Sequence, residues 1–313
     1  MNGAAASAGA AIEVEGLTKR FGGRAVVDDF SIRVPPGTIF GFLGPNGSGK
    51  TTTIRLICGL LRADGGRGTC LGHDIMTESA RIKARIGYMT QAFSLYADLT
   101  VRENLDFMAR LHRVPRPREA VERALALHDL KGRANQLAGE LSGGWKQHLA
   151  LAAAAIHEPD LLLLDEPTAG IDPKTRRDFW DHIRELADNG VTVLVSTHYM
   201  DEAVQCDRIA FIAWGKKLID APTGEVAARV GLTTWRVEGD DLHALQRDLS
   251  GRPGIDQIAR FGDSLRVSGR DAGALAAAIA PLRDDGRHRW RQVETGLEDA
   301  FIFLMAGVED NFR

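Results

Sequence analysis

Residues 44 to 53 read GPNGSGKTTT, directly after the apolar run TIFGFL. Gly44, Gly49, Lys50 and Thr51 fit the spacing G-x-x-x-x-G-K-[S/T], with a β-rich run before it and the helical-looking TTTIRLICGLL after it. Glycines let the backbone curl until its N–H groups point inward, and a following helix adds its positive N-terminal end. Gly44, Pro45, Asn46, Gly47, Ser48, Gly49, Lys50, Thr51 and Thr52 are therefore expected to cradle the phosphates of a nucleotide. Lys50 would reach the β- and γ-phosphates, and the Thr51 hydroxyl would ligate Mg²⁺. The plainer alternative is a glycine-rich hairpin turn.

Holding the metal takes a carboxylate, and PDLLLLDEPTAGID, residues 159 to 172, supplies one. Four leucines predict a strand buried on both faces, with Asp165 and Glu166 where it ends. Ligands of open α/β sheets collect at the carboxyl ends of the strands. Asp165 is expected to bind Mg²⁺ through water, and Glu166 to polarise the water that attacks the γ-phosphate. His198 follows the β-branched run VTVLVST, which places an imidazole at the same sheet edge.

The elements that position these groups follow from composition and pattern. A chain of 313 residues, 44% hydrophobic and 26% charged, can build a proper core and suggests two domains. Its formal net charge of -3 gives no electrostatic reason to expect nucleic acid as the main partner. Cys58, Cys70 and Cys206 are odd in number and lack metal-ligand spacing, which predicts buried reduced thiols. No run of about 18 apolar residues is present, and MNGAAASAGAA lacks the basic start and long apolar stretch of a secretory signal.

Between Gln91 and Leu141 the pattern is helical, in TVRENLDFMARLHRV and PREAVERALALHDL, interrupted by Pro115 and Pro117. This reads as an inserted lobe, about residues 92 to 158. Thr100, with Glu103 three positions later, predicts a capping box at one helix start. Beyond about residue 230 a second small domain begins, over 233–307. Its order β-α-β-β-α-β-α fits a ferredoxin-like α+β sandwich, with Gly262 and Asp263 as the turn between the middle strands.

LSGGWKQ, residues 141 to 147, resembles the signature motif of the ABC ATPases, and it lies between the phosphate loop and the leucine-rich strand as in that family. Gln91 in YMTQAFSLY is similar to the family's Q-loop, AGID ending at Asp172 to its D-loop, and His198 to its switch histidine. Phe21 falls where the family has an aromatic residue stacked on adenine. The resemblance covers about residues 11 to 230. It implies an α/β P-loop NTPase core with an antiparallel β subdomain and a helical lobe, Gln91 joining Glu166 and His198 in catalysis and Thr51 and Asp165 at the metal, and Asp172 at the nucleotide.

Ser142, Gly143 and Gly144 precede the helical WKQHLALAAAAI, so their amides form a second helix N-terminus able to bind phosphate. One nucleotide needs one cradle. The second makes sense if it closes over the nucleotide of a neighbouring copy, the head-to-tail dimer the family uses, either a homodimer or a pair with a related ATPase subunit. The resemblance further implies a separate membrane subunit that meets the region of Phe93, Leu95 and Tyr96, and a place at the cytoplasmic face of the membrane. The tail ending GLEDAFIFLMAG resembles the drug-exporter branch. The alternative is a soluble ABC ATPase of translation or DNA repair, whose usual twin cassettes or long coiled coils do not occur here. Trp145 and His148 depart from the residues common at their positions, Gln and Arg, so the far side of the signature helix is expected to make different contacts.

Overall fold

Runs that alternate apolar and polar side chains form strands with one buried face, as in Ile12–Phe21, while fully apolar runs form strands buried throughout, as in Ile39–Leu43 and Leu161–Asp165. The structure, a computed structural model, describes residues 9–284 and 286–307. Residues 1–8, which carry most of the segment read above for a signal, lie outside the described residues.

The chain divides into two compact units between Asp220 and Ala221. In chain order the first carries β1 (Ile12–Phe21), β2 (Arg24–Val34), β3 (Ile39–Leu43), α1 (Lys50–Ile57), β4 (Gly65–Cys70), β5 (His73–Asp74), α2 (Ser79–Lys83) and β6 (Ile86–Met89). Then come α3 (Val101–Leu111), α4 (Pro117–Leu127), α5 (Gly143–Ala155), β7 (Leu161–Asp165), α6 (Pro173–Asp188), β8 (Thr192–Thr197), α7 (Met200–Ala203), β9 (Arg208–Ala213) and β10 (Lys216–Pro222). An antiparallel sheet has the order β2-β1-β4-β5, and a larger sheet the order β10-β9-β3-β8-β7-β6. From β9 through β6 the larger sheet is parallel. The two share one core, in which Phe30, Phe40 and Phe42 meet edge to face.

Helices α3, α4 and α5 form the lobe between β6 and β7, around Val101, Leu105, Val121, Leu125 and Leu149. Its first helix starts as the sequence predicts: Thr100 Oγ1 accepts from the Glu103 amide at 3.2 Å, and Glu103 Oε2 accepts from the Thr100 amide at 2.8 Å. Phe93 and Leu95 pack inward on this lobe, whereas Tyr96 is 50% exposed. His148 is buried, its ring 5.3 Å from that of His182 and 6.1 Å from that of Phe179, while the Arg133 guanidinium lies 4.5 Å over Trp145. All three cysteines are buried, and none of them forms a disulfide among the described residues.

The second unit carries α8 (Val226–Val230), β11 (Thr233–Gly239), α9 (Leu242–Leu249), β12 (Gln257–Phe261), β13 (Ser264–Gly269), α10 (Ala272–Arg283), β14 (His288–Val293) and α11 (Leu297–Ala306). Its strands pair antiparallel in the order β12-β13-β11-β14, with Gly262 and Asp263 forming the turn between β12 and β13. Val237, Leu265 and Val267 pack against Leu245 and Leu249 of α9 and Leu275 and Ile279 of α10. The division falls about ten residues before the boundary expected from sequence, because α8 packs on α11 and so belongs with the second unit.

Candidate active site

Parallel pairing sets the site. β3, β8, β7 and β6 are consecutive neighbours, so the segments after Leu43, Thr197, Asp165 and Met89 all leave the same sheet edge. Those segments carry the phosphate loop, His198, Glu166 and Gln91.

The loop after β3 is built on glycine where nothing else fits. A Cβ on Gly44 would lie 2.1 Å from the Ile212 carbonyl oxygen, and Gly49, at φ +98°, would place one 2.6 Å from the Val26 carbonyl. Gly49 begins α1 with no side chain capping its amides, so the helix N-terminus is left for another acceptor. Ser48 Oγ is buried without a hydrogen-bond partner. Pro45 is half-buried and Asn46 and Gly47 are exposed, as the outer rim of the loop, and Thr52 is half-buried in the first turn of α1. An orphan hydroxyl, uncapped amides and a cradle with no room for a Cβ fit a phosphate chain.

Lys50 is 4% exposed, and its Nζ donates to the Gly44 and Pro45 carbonyls at 2.8 and 3.0 Å and lies 3.5 Å from Glu166 Oε1. Burial pulls its ammonium below the usual lysine range, and the Glu166 carboxylate offsets part of that. Thr51 Oγ1 donates to Asp165 Oδ1 at 2.9 Å, and the Tyr88 hydroxyl lies 3.5 Å from Asp165 Oδ2. These are hard oxygen donors around one carboxylate, which suits a magnesium ion completed by substrate phosphates.

Glu166 sits just past β7 at φ +49°, a left-handed conformation that costs a non-glycine residue about 1–3 kcal/mol and is held here by its neighbours. Its amide donates to Ser196 O at 3.1 Å and Ser196 Oγ at 3.0 Å. Gln91 Nε2 donates to Glu166 Oε2 at 3.2 Å, and His198 Nδ1 is 3.4 Å from the same oxygen, close enough for charge attraction but not aligned as a hydrogen bond. Lys50, Gln91 and His198 thus converge on one carboxylate. Gln91 faces Glu166 rather than Asp165.

The other expected residues lie apart from this cluster. Ser142 starts α5 without a side-chain cap, leaving that helix N-terminus open as well, and Ser142 and Gly143 are exposed. A Cβ on Gly144 would lie 2.5 Å from Thr175 Cγ2 of α6. The Asp172 carboxylate caps α6, accepting from the Lys174 and Thr175 amides at 3.1 and 3.0 Å and from Thr175 Oγ1 at 2.6 Å. Those bonds, the Thr175 hydroxyl first, hold its carboxyl below the usual range. Phe21 is 50% exposed at the end of β1, with Lys19 Nζ 5.5 Å from its ring centre.

Sequence reasoning missed Ser196 and Tyr88. Ser196 was legible in principle, since the register pairs it with Asp165 once β7 and β8 are taken as neighbours.

A parallel sheet with an uncapped phosphate loop after one strand and two carboxylates at the end of another defines a P-loop nucleotide-binding domain. Residues 27–169 match the family model for ABC transporters. The chain is 45% identical over 220 residues to the probable multidrug ABC transporter ATP-binding protein YbhF of Escherichia coli (strain K12), an alignment covering 70% of this chain and 38% of that protein. It thus spans well under half the length of that relative. It is 41% identical over 267 residues to the daunorubicin/doxorubicin resistance ATP-binding protein DrrA of Streptomyces peucetius, covering 83% and 80%. To the Nod factor export ATP-binding protein I of Paraburkholderia xenovorans (strain LB400) it is 37% identical over 299 residues, covering 94% and 97%. Among solved structures, the ADP conformation of an ATP-binding cassette of an ABC transporter matches with a TM-score of 0.62 at 29% identity, over 69% of this chain and 92% of that one. A nucleotide-free cassette matches at 0.63 and 28%, over 70% and 94%. The chain belongs to the ABC transporter family.

Proposed function

We propose that this chain powers a membrane exporter, two copies or one copy and a related ATPase closing over ATP and separating after its hydrolysis. The observation that carries the reading is the convergence of Lys50, Gln91 and His198 on Glu166 at the end of β7. Glu166 takes the proton of the attacking water, His198 and Gln91 orient the groups around it, and Lys50 leaves the loop carbonyls for the terminal phosphates. Thr51 and Asp165 would hold Mg²⁺, which when bound neutralises charge building on the phosphates, and Gln91 would join them only by turning away from Glu166. Ser142, Gly143 and Gly144 serve the nucleotide of the facing copy, Asp172 shapes the segment that meets that copy, and Phe21 stacks on adenine.

Export as the direction rests on the Nod factor export protein, whose name states it, and the drug-resistance protein is consistent with it. The comparisons carry nothing in favour of a translation or repair role. None of the described helices is long and apolar enough to cross a membrane, so the path for cargo would belong to a separate membrane subunit and this chain to its cytoplasmic face. The surface offered to that subunit is the groove of about 210 Å³ lined by Tyr88, Met89, Leu95 and Met108, with Tyr96 and Phe107 exposed nearby and in edge contact at 5.2 Å. We read the second unit, from its strand order and two helices on one face, as a ferredoxin-like domain with a regulatory or stabilising role. Copurification with a membrane protein of several spans, followed by a substrate-stimulated ATPase assay, tests the reading. A chain that hydrolyses ATP and retains no such protein would contradict it.

A further inference from the structure

Glu166 and His198 stand on different loops, and one buried carboxylate touches the backbone segments of both. Glu202 is 1% exposed in α7. Thr197 Oγ1 donates to its Oε2 at 2.5 Å, and Thr168 Oγ1 donates to its Oε1. Both threonines are buried, Thr197 immediately before His198 and Thr168 two residues after Glu166. Thr197 Oγ1 also accepts from the Tyr199 amide at 3.0 Å, closing the turn that carries His198. A third element joins from α6. Arg176 Nε is 3.6 Å from Glu202 Oε1, its Nη1 donates to Asp201 Oδ2 at 2.7 Å, and its guanidinium lies 4.7 Å from the Tyr199 ring, which in turn packs 4.0 Å from the His198 ring.

We infer that Glu202 is a positioning residue for hydrolysis: its carboxylate ties the His198 turn to the segment after Glu166 and so fixes the two groups relative to one another, with Arg176 linking the pair to α6. This rests on the reading of Glu166 and His198 as the groups that act on ATP. A carboxylate out of water is costly, and an apolar side chain would fill the space at less expense. What the carboxylate adds is two hydroxyl bonds that a hydrocarbon cannot make, one to each loop. The groups facing it are Arg176 from α6, Asp201 beside it, Glu166 beyond β7, and Cys206, whose Sγ is 3.7 Å from the Glu202 carbonyl. Burial pushes the Glu202 carboxyl up to about 7, against the Thr197 bond and Arg176. Once protonated, it accepts from one threonine fewer.

The test uses the full chain with Glu202→Ala, Glu202→Gln and Thr168→Val. For Glu202→Ala, kcat is expected to fall about tenfold or more with KM for ATP within about twofold. Glu202→Gln, which keeps one acceptor and offers a donor to the other hydroxyl, should recover most of that loss. The ratio of wild-type to Glu202→Gln rates should rise as pH passes about 7. Amide hydrogen exchange should quicken in Glu202→Ala over both 166–171 and 196–200, with α1 unchanged. A Glu202→Ala rate within twofold of wild type, a Gln variant as slow as Ala, or exchange that changes in only one of the two segments would each overturn the assignment. If Glu202→Ala does not fold, Thr168→Val carries the same comparison, and an unaltered kcat there overturns it too. A wild-type chain without ATPase activity would overturn the catalytic reading instead, and the exchange measurement would still decide the link.

Discussion

Ser196 donates to Asp165 Oδ1 at 2.6 Å from the end of the neighbouring strand, and the same hydroxyl accepts from the Glu166 amide at 3.0 Å. One side chain therefore orients the carboxylate assigned to the metal and pins the strained backbone of the carboxylate assigned to the water. Ser196→Ala leaves a buried carboxylate oxygen short of a donor, which costs about 1–3 kcal/mol. Chemical denaturation should register that loss, and kcat should fall more than ATP affinity. An unchanged kcat would show that the hydroxyl does not position either group.

Glu166→Gln keeps the shape and removes the base. Turnover is expected to drop by about a hundredfold or more while ATP still binds, so the nucleotide-bound dimer accumulates. Size-exclusion chromatography with Mg-ATP checks this, and hydrolysis at the parent rate would remove Glu166 from its role.

The loop glycines should rank by geometry rather than by position in the motif. Gly44→Ala drives a methyl into the Ile212 carbonyl, whereas Gly47, at φ +79°, has open space around it. Gly47→Ala should then cost about 1 kcal/mol from conformation alone, and Gly44→Ala several times more. Thermal denaturation without nucleotide gives the order, and equal losses would contradict the close approach of the loop to β9.

Burial, with His182 and His148 beside it, lowers His128 to about 3 from its ordinary 6.5. The unfolded chain binds that proton more tightly, so the associated stability is present above about 6.5 and is lost as pH falls toward 3. His128 Nδ1 is buried without a partner, so His128→Phe keeps an aromatic ring and removes the titration. Denaturation midpoints between pH 6.5 and 4 should fall less steeply in the variant. Parallel slopes would mean that other groups govern the acid transition.

Much of this site was legible because each of its groups follows an apolar run: the phosphate loop after TIFGFL, Glu166 after LLLL, His198 after VTVLVST. A strand that must be buried announces its own carboxyl end, and the sheet gathers those ends. Ser196 becomes legible only once β7 and β8 are taken as neighbours, whereas Thr168 and Glu202 were not legible, since their roles depend on hydroxyl and carboxylate partners in separate segments. The three histidines at 128, 148 and 182 gave no periodic signal, being brought together from α5, α6 and the end of α4. The motif at Asp172 points to a nucleotide contact, and the structure gives that carboxylate to the first turn of α6.

The account centres on a site shared between two chains, and mixing two disabled chains tests it most directly. Gly143 is the better place to block the signature end, because a side chain there meets nothing within 4 Å, whereas one at Gly144 would press on Thr175. Gly143→Asp puts a carboxylate where the incoming phosphate should sit, and Lys50→Ala weakens the phosphate loop by removing a charge-assisted bond, a loss of about tenfold to a hundredfold in affinity. Each chain alone should hydrolyse little ATP. Mixed, they can form one intact site from the phosphate loop of the Gly143→Asp chain and the signature of the Lys50→Ala chain. The account predicts partial ATPase activity in the mixture that neither parent has alone. A Gly143→Asp chain that hydrolyses ATP normally by itself would contradict it.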